Sequence, residues 1–317
     1  MTAPDQILLL FNKQVAMLAF RPEVRKGREE TDTLTHLETP STARSVLSPQ
    51  EVAAYHRDGY LVPRFRLPPA VLERLVALTA QVAQDNTGAL DQPLIGVHIP
   101  GSGTQALKVP AGFVDIATHP ALLDMMEQLI GPDLILWGSV LFYKRAQQGP
   151  ATPWHRDATA YPIKPLATTS VWIAATDSTL ANGCLRFIPG SHIAREAGTH
   201  DRTHKPGDYF AGSLDASEFD ETKAVDVELQ AGHMVVFDVF TVHGARANNG
   251  TQPRGGYSLR FMPGTSVFLH DAAQDREKVG YGHETRALML VRGADRTGRN
   301  DFQRGHPAPA AQPEGAR

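Results

Sequence analysis

The sequence predicts a mainly β fold with flanking helices, an α+β arrangement in which helices back an antiparallel sandwich or barrel. Two observations support this prediction. The first part of the chain has helical apolar spacing, whereas after residue 131 the apolar residues form short β-rich runs separated by Gly, Pro and Asn turns. These runs do not alternate with helices, as they would in βαβ units. They cover residues 134–143, 170–175, 184–188, 225–229, 234–237 and 257–262.

Three helices are predicted ahead of the strands. The first begins with a capping box formed by Ser48 and Glu51 and ends at Gly59. The second opens at a Pro-Pro pair and covers residues 68–82, and the third covers residues 120–130 and ends at a Gly-Pro pair. Apolar residues recur at helical spacing in both later helices, so we expect each to pack one face on the core.

Composition is typical of a folded protein of enzyme size. The 317 residues are 42% apolar and 21% charged, close to globular averages. The net charge of −3 and the pI of about 6.5 argue against nucleic acid and against an anionic membrane surface as partners. The single cysteine, Cys184, excludes an intramolecular disulfide framework and suits a reducing compartment, so a cytoplasmic location is expected.

The chain divides into three predicted parts. Residues 1–46 should contain a short amphipathic helix at 6–20 and a mobile connector; the helix would pack on the core, form a homodimer contact or act as a lid. Residues 47–303 are expected to form a single domain, and residues 304–317 a disordered tail rich in Pro, Ala and Gly. A long polar insertion at 192–223 is expected to form part of a substrate-facing rim.

The segment PWHRD at 153–157 carries the chemistry. His155 and Asp157 are one residue apart, so both side chains can converge on one cation, and His243 can supply a third ligand. Two imidazoles and one carboxylate compose the facial triad that holds non-haem Fe(II) and leaves coordination positions open. The motif His-x-Asp alone is weak. The alternative is that these are ordinary polar residues of a β-rich core.

Four further motifs follow in order: NGCLRFIPGSH (182–192), AGHMVVFD (231–238), HGARANN (243–249) and PR (253–254). With these motifs the sequence, from about residue 47 to 263, resembles the phytanoyl-CoA dioxygenase family of Fe(II)- and 2-oxoglutarate-dependent oxygenases. The resemblance implies a double-stranded β-helix core, which is a cupin-like jelly roll. It also implies that His155, Asp157 and His243 ligate Fe(II), and that 2-oxoglutarate and O2 are cosubstrates.

The resemblance also implies a site for 2-oxoglutarate. An arginine binds a carboxylate through two parallel charge-assisted hydrogen bonds, and Arg254 stands eleven residues after His243, at the family's offset. Arg260 is the competitor, because its even separation from Arg254 lets both face the same way on a strand. Lys108 and Trp172 match further cosubstrate-binding positions of the family. Many members carry Ser where this chain has Ala245, and Ser258 is a candidate to replace that hydrogen bond.

The implied reaction is hydroxylation of an unactivated carbon, with release of succinate and CO2. Halogenating relatives replace the carboxylate at the position of Asp157, so hydroxylation is favoured. The expected substrate is a small or medium-sized metabolite or natural-product intermediate. The alternatives are an acyl-CoA substrate of the phytanoyl-CoA type, a cupin-like metal isomerase and a non-catalytic jelly-roll binding module. Charged residues such as Lys144 and Arg156 could favour an anionic substrate, although the simpler interpretation of each is a solvated surface charge.

Overall fold

The structure is a computed structural model that describes residues 45–100, 106–201, 203, 205–272 and 282–307. All of them belong to one compact unit, Ala43–Arg317. The predicted N-terminal helix, the connector as far as residue 44 and residues 308–317 lie outside the described residues. The homodimer contact and the limits of the predicted domain therefore stay predictions.

Four helices are described, and three of them were predicted. They are α1 (Pro49–Asp58), α2 (Pro69–Asp85), α3 (Phe113–Ala117) and α4 (Pro120–Ile130). The capping box of α1 is present: the Ser48 hydroxyl accepts from the Glu51 N–H at 3.3 Å, and the Glu51 carboxylate accepts from the Ser48 N–H at 2.8 Å. Gly59 ends α1 with a φ of +80°, in the left-handed region that glycine adopts without steric cost.

The strands are labelled in chain order over the described residues. They are β1 (Tyr60–Leu61), β2 (Leu94–Ile95), β3 (Leu134–Lys144), β4 (Thr152–His155), β5 (Ile163–Lys164), β6 (Thr169–Ala174), β7 (Leu185–Phe187), β8 (His200–Asp201), β9 (Ser213–Leu214), β10 (Val225–Val227), β11 (Met234–Asp238), β12 (His243–Ala245), β13 (Arg254–Pro263), β14 (Val267–Phe268) and β15 (Met289–Arg292).

Two antiparallel sheets organise these strands. The major sheet has the order β1-β11-β6-β13-β3-β15, and β2 also pairs with β3. The minor sheet has the order β10-β7-β12-β4, and β5–β14 and β8–β9 form separate pairs. The predicted mainly β fold with flanking helices is confirmed.

Strand alternation gives the major sheet two different faces. On one face, Tyr257, Leu259 and Phe261 of β13 join the core that includes Leu75 of α2 and Leu122 of α4. The opposite face turns toward the minor sheet, where a second set of buried side chains meets. This set includes Trp172 and Phe237 of the major sheet and Leu185, Phe187 and Ala245 of the minor sheet. Polar side chains on the inner face of β13 are therefore enclosed between the sheets.

The elements absent from the prediction are short. They include α3, with five residues, and strands β2, β4 and β12, with two to four residues each. Such segments are too short to establish a period, and the three strands depend on pairing with their neighbours in the sheets.

The first residues of the predicted tail are held by contacts. Arg304 forms an ion pair with Asp271 at 2.6 Å, and a ring nitrogen of His306 lies 2.8 Å from the carbonyl oxygen of Leu288. Among the described helices, none combines the length and apolarity that a membrane span requires.

Gly256 is predicted to be intolerant of a side chain. A Cβ at this position would lie 1.8 Å from Cζ2 of Trp172, so Gly256→Ala forces the indole to move within a packed interior. We expect the free energy of unfolding to fall by about 1–3 kcal/mol, measured by urea denaturation. Gly88→Ala is the matched control, because no atom lies within 4 Å of its added Cβ. Equal stability of the two variants would contradict the prediction.

Candidate active site

Two strands of the minor sheet bring the predicted ligands together. In the antiparallel pair β4–β12, His155 stands opposite His243, and their ring centroids are 4.1 Å apart. Asp157 begins the short 3₁₀ turn that follows β4. One nitrogen or oxygen atom from each of these three side chains lies within 4.8 Å of the others. Residues 88 positions apart in the sequence thus converge on one point.

Backbone hydrogen bonds orient both imidazoles. The Nδ1 atom of His155 lies 2.9 Å from the carbonyl oxygen of Pro153, and Nδ1 of His243 lies 3.0 Å from that of Thr241. A carbonyl only accepts, so we assign the proton of each neutral ring to Nδ1. The Nε2 lone pairs are then available to a metal ion, in the arrangement typical of metal-bound histidines.

The protonation states also suit a cation. Burial, together with the nearby His155, lowers the pKa of His243 to about 3, so its imidazole is neutral at neutral pH. Burial raises the pKa of Asp157, but the adjacent imidazole of His155 and the positive charge of Arg260 outweigh this effect, and the net pKa is lowered. The neutral imidazole of His243, the imidazole of His155 and one ionised carboxylate form a donor set that fits Fe(II).

Arg254 occupies a second buried position between the sheets. Its side chain is 1% exposed, its guanidinium lies over the Trp172 ring at 4.9 Å, and its Nη2 donates to the carbonyl of Gly183 at 2.7 Å. Its Nε–H has no hydrogen-bond partner among the described residues. Burial lowers the pKa of Arg254 to about 10, which still leaves a cation at neutral pH. A buried guanidinium with an unpaired N–H fits a carboxylate ligand.

Lys144 lies beside Arg254. The two residues are register partners in the β13–β3 pair, and Lys144 is 0% exposed. Its ammonium donates to the carbonyl of Arg246 and lies 5.9 Å from the centre of the Tyr209 ring. The interpretation of Lys144 as solvated surface charge was wrong, because β3 carries it to the inner face of the major sheet.

Arg260 faces the same interior but at the other end of β13. Its Nε donates to the Tyr161 hydroxyl at 2.5 Å, and its guanidinium lies 5.8 Å from the Trp137 ring. Its cross-strand partner is Ser170, whose hydroxyl donates to Asp157 at 3.4 Å. Arg260 therefore belongs to the surroundings of Asp157, the predicted carboxylate ligand, whereas Arg254 is grouped with Trp172.

The other two predicted cosubstrate residues differ in placement. Ser258 is buried between the sheets, opposite Trp172 in the β13–β6 pair. Lys108 has an exposed side chain, and its backbone exchanges two hydrogen bonds of 2.9 Å with the Asn86 side chain. Within the described residues, no contact joins Lys108 to Arg254, Trp172 or Ser258.

The polar insertion at 192–223 contributes side chains to the site. Phe210 packs edge-on against His155 at 5.0 Å, and Tyr209 is buried, with its hydroxyl donating to the carbonyl of Tyr143 at 2.6 Å. Arg156, which lies between two predicted ligands, is 5% exposed and pairs with Glu218 of the insertion at 3.2 Å.

Sequence reasoning did not assign roles to Tyr209 and Phe210. The available signal was an adjacent aromatic pair within an otherwise polar insertion. Ser170 gave no signal, because its contact with Asp157 depends on tertiary structure. Cys184 is buried, and burial raises its pKa to about 11, which agrees with an inert thiol.

A family model and curated relatives match this chain. The family model for phytanoyl-CoA dioxygenase (PhyH) matches residues 55–256. A phytanoyl-CoA dioxygenase domain-containing protein 1 homolog of Dictyostelium discoideum is 30% identical over 139 residues, which cover 43% of this chain and 49% of the relative. The chain thus spans about half the length of that curated relative. A probable phytanoyl-CoA dioxygenase of Caenorhabditis elegans is 26% identical over 232 residues, covering 64% of this chain and 72% of the relative.

A solved structure extends the similarity to the fold. The non-heme monooxygenase ThoJ, in its apo form, superposes with a TM-score of 0.59 at 26% sequence identity. The superposition covers 77% of this chain and 84% of ThoJ. The predicted double-stranded β-helix core is confirmed.

Metal binding is expected to stabilise the protein through this cluster. Anaerobic Fe(II) at about a hundredfold excess over its dissociation constant should add about 2.7 kcal/mol to the free energy of unfolding, which raises the melting temperature. His155→Ala and His243→Ala should lose this increase. His233→Ala is the control, because His233 lies outside the cluster and its variant should respond like the wild type. A full Fe(II) response in either ligand variant would refute the assignment.

Proposed function

The chain belongs to the phytanoyl-CoA dioxygenase (PhyH) family, and on this basis we propose that it is an Fe(II)- and 2-oxoglutarate-dependent dioxygenase. It hydroxylates an unactivated carbon of a small or medium-sized metabolite or natural-product intermediate. His155, Asp157 and His243 bind Fe(II), and Arg254 binds the distal carboxylate of 2-oxoglutarate. Succinate and CO2 are the coproducts.

The observation that carries this proposal is the pairing of two sites in one interior. A cluster of two imidazoles and a carboxylate and a buried arginine whose Nε–H has no partner among the described residues both border the apolar set between the sheets, through Phe237 and Trp172 respectively. A metal isomerase would use the cluster but has no need for a buried cation that receives a dicarboxylate. A non-catalytic binding module needs neither. Both alternatives are therefore disfavoured.

When bound, Fe(II) would supply a site for O2 activation and 2-oxoglutarate would supply two of the electrons that reduce O2, which is the oxidant in the hydroxylation. The residues of the chain supply position and charge. The Pro153 and Thr241 carbonyls hold the Nε2 atoms of both imidazoles toward the cluster. Asp157 adds the negative charge that partly neutralises a divalent cation. The presence of this carboxylate supports hydroxylation over halogenation.

Trp172 and Phe210 supply apolar surface around these polar groups. The Trp172 ring supports the Arg254 guanidinium from one side. A guanidinium over an aromatic face gains electrostatic attraction, while its N–H groups remain available in the plane of the guanidinium. Phe210 covers one edge of His155 and thereby limits water at that imidazole. Ser258, on the same strand face as Arg254, is the hydroxyl that we assign to the cosubstrate.

Surface charge favours one of two substrate chemistries. A small metabolite or natural-product intermediate is the proposal, whereas an acyl-CoA thioester is the alternative that the family name suggests. A large anionic thioester would favour a basic surface, and the net charge of −3 does not provide one overall.

The test is anaerobic addition of Fe(II) and 2-oxoglutarate to metal-free protein. A weak visible charge-transfer absorption should appear when the cosubstrate chelates the bound metal. Succinate release in the presence of O2 would then serve to screen candidate substrates. Bound Fe(II) without this absorption would contradict the proposal and favour a metal isomerase.

The two arginines of β13 are expected to differ in their effect on 2-oxoglutarate. Arg254→Lys keeps a charge but removes the planar pair of donors, so we expect the 2-oxoglutarate concentration for half-maximal absorption to rise at least about tenfold. Arg260→Lys should change this concentration less, because Arg260 lies among Tyr161, Trp137 and Ser170. The reverse order would transfer the carboxylate-binding role to Arg260.

A further inference from the structure

Two buried basic side chains lie on adjacent strands, and among the described residues neither has a carboxylate partner. Lys144 and Arg254 are 0% and 1% exposed and are register partners on adjacent strands. Among the described residues, neither forms an ion pair with an acidic side chain. Burial of a charge in a protein interior is costly unless the charge is paired and hydrogen-bonded. A second positive charge on the register partner increases this cost, so an anion is needed for both groups to be protonated.

The donors of these two groups are also largely unused. A guanidinium carries five N–H donors and an ammonium three. Within the described part of the chain, Arg254 donates to the carbonyl of Gly183 and Lys144 to that of Arg246. These two acceptors are neighbours, since a Cβ on Gly183 would lie 2.2 Å from the Arg246 oxygen. The two cations therefore share one polar corner of the interior and leave donors for a further acceptor.

Resting on the proposed function, we propose that Lys144 is the second cation of the 2-oxoglutarate site and binds the distal carboxylate together with Arg254. The family resemblance assigned the lysine role to Lys108 instead. Lys108 has an exposed side chain, whereas Lys144 is in register with Arg254 itself.

This assignment couples cosubstrate binding to proton uptake. Burial, and then the charge of Arg254, lower the pKa of Lys144 to about 6, so the lysine is mainly neutral at pH 7.5 in the absence of an anion. A carboxylate favours the ammonium and raises that pKa. Binding above pH 6 therefore draws a proton from solvent, and affinity for 2-oxoglutarate falls as pH rises above 6.

The other groups around Lys144 do not titrate in this range. Burial raises the pKa of Cys184 to about 11 and raises that of Tyr209, and burial lowers the pKa of Arg254 only to about 10. Asp208 is the acidic residue whose charge reaches Lys144, and it favours the protonated lysine. A proton taken up between pH 6.5 and 8.5 is therefore assigned to Lys144.

Calorimetric titration of 2-oxoglutarate into the Fe(II)-loaded protein under anaerobic conditions tests the proposal. Titrations at pH 6.5 and 8.5, in buffers of different ionisation enthalpy, give affinity and proton uptake. Wild type should bind on the order of tenfold or more weakly at pH 8.5 and should take up close to one proton. Lys144→Met should bind at least about tenfold more weakly at pH 6.5, without this pH dependence.

The Lys144→Arg variant distinguishes the effect of a positive charge at position 144 from the effect of proton uptake by the lysine. An arginine stays protonated across the range, so this variant should keep tight binding while losing both the pH dependence and the proton uptake. Subtracting its proton count from that of the wild type removes any contribution from the metal ligands. Lys223→Met is the matched control, because Lys223 is 70% exposed and pairs with Asp220 on the surface. A thermal melt of each ligand-free variant verifies folding.

Each remaining outcome has a distinct meaning. If Lys144→Met binds 2-oxoglutarate as wild type does, with proton uptake unchanged, the assignment of Lys144 is wrong and the proposed function stands. A loss in Lys108→Met that exceeds the loss in Lys144→Met transfers the role to Lys108. Absence of 2-oxoglutarate binding in the wild type contradicts the proposed function itself.

Discussion

The antiparallel register between β4 and β12 is the constraint on which the site depends. It places His155 opposite His243, and the ladder of hydrogen bonds that fixes this register fixes the separation of the two rings. A shift by one residue would turn each side chain to the opposite face of the sheet. The cluster is therefore stable only while the minor sheet keeps its pairing, and β7, which pairs with β12 on its other side, secures it.

A second requirement is that polar groups be enclosed in an interior that is otherwise apolar. Trp172 and Phe187 provide the apolar packing between the sheets, and Arg254 is buried among such side chains. A protein selected for stability alone would fill this space with hydrocarbon, because an unpaired buried cation destabilises the folded state. The arrangement is explained if a carboxylate of the proposed cosubstrate is the anion that pairs with Arg254. The ligand-free protein is then less stable at this position because function requires the buried charge.

The sequence predicted what depends on local pattern. The capping box at Ser48 predicted the start of α1, and the His-x-Asp motif predicted two members of the cluster. Strand parity predicted that Arg254 and Arg260 face one way, but it could not say which of them contacts Trp172. The burial of Lys144 and the contact of Phe210 with His155 depend on pairing between distant segments, which a propensity does not encode.

The length of β13 also divides the interior. Arg254 and Arg260 are six residues apart on this strand, and a strand advances roughly 3.3 Å per residue, so their Cα atoms are about 20 Å apart. A five-carbon diacid is far shorter than this interval. A molecule of this size can therefore contact only one of the two arginines at a time. The interior between the sheets thus has two separate cationic positions, Arg254 beside Trp172 and Arg260 beside Trp137.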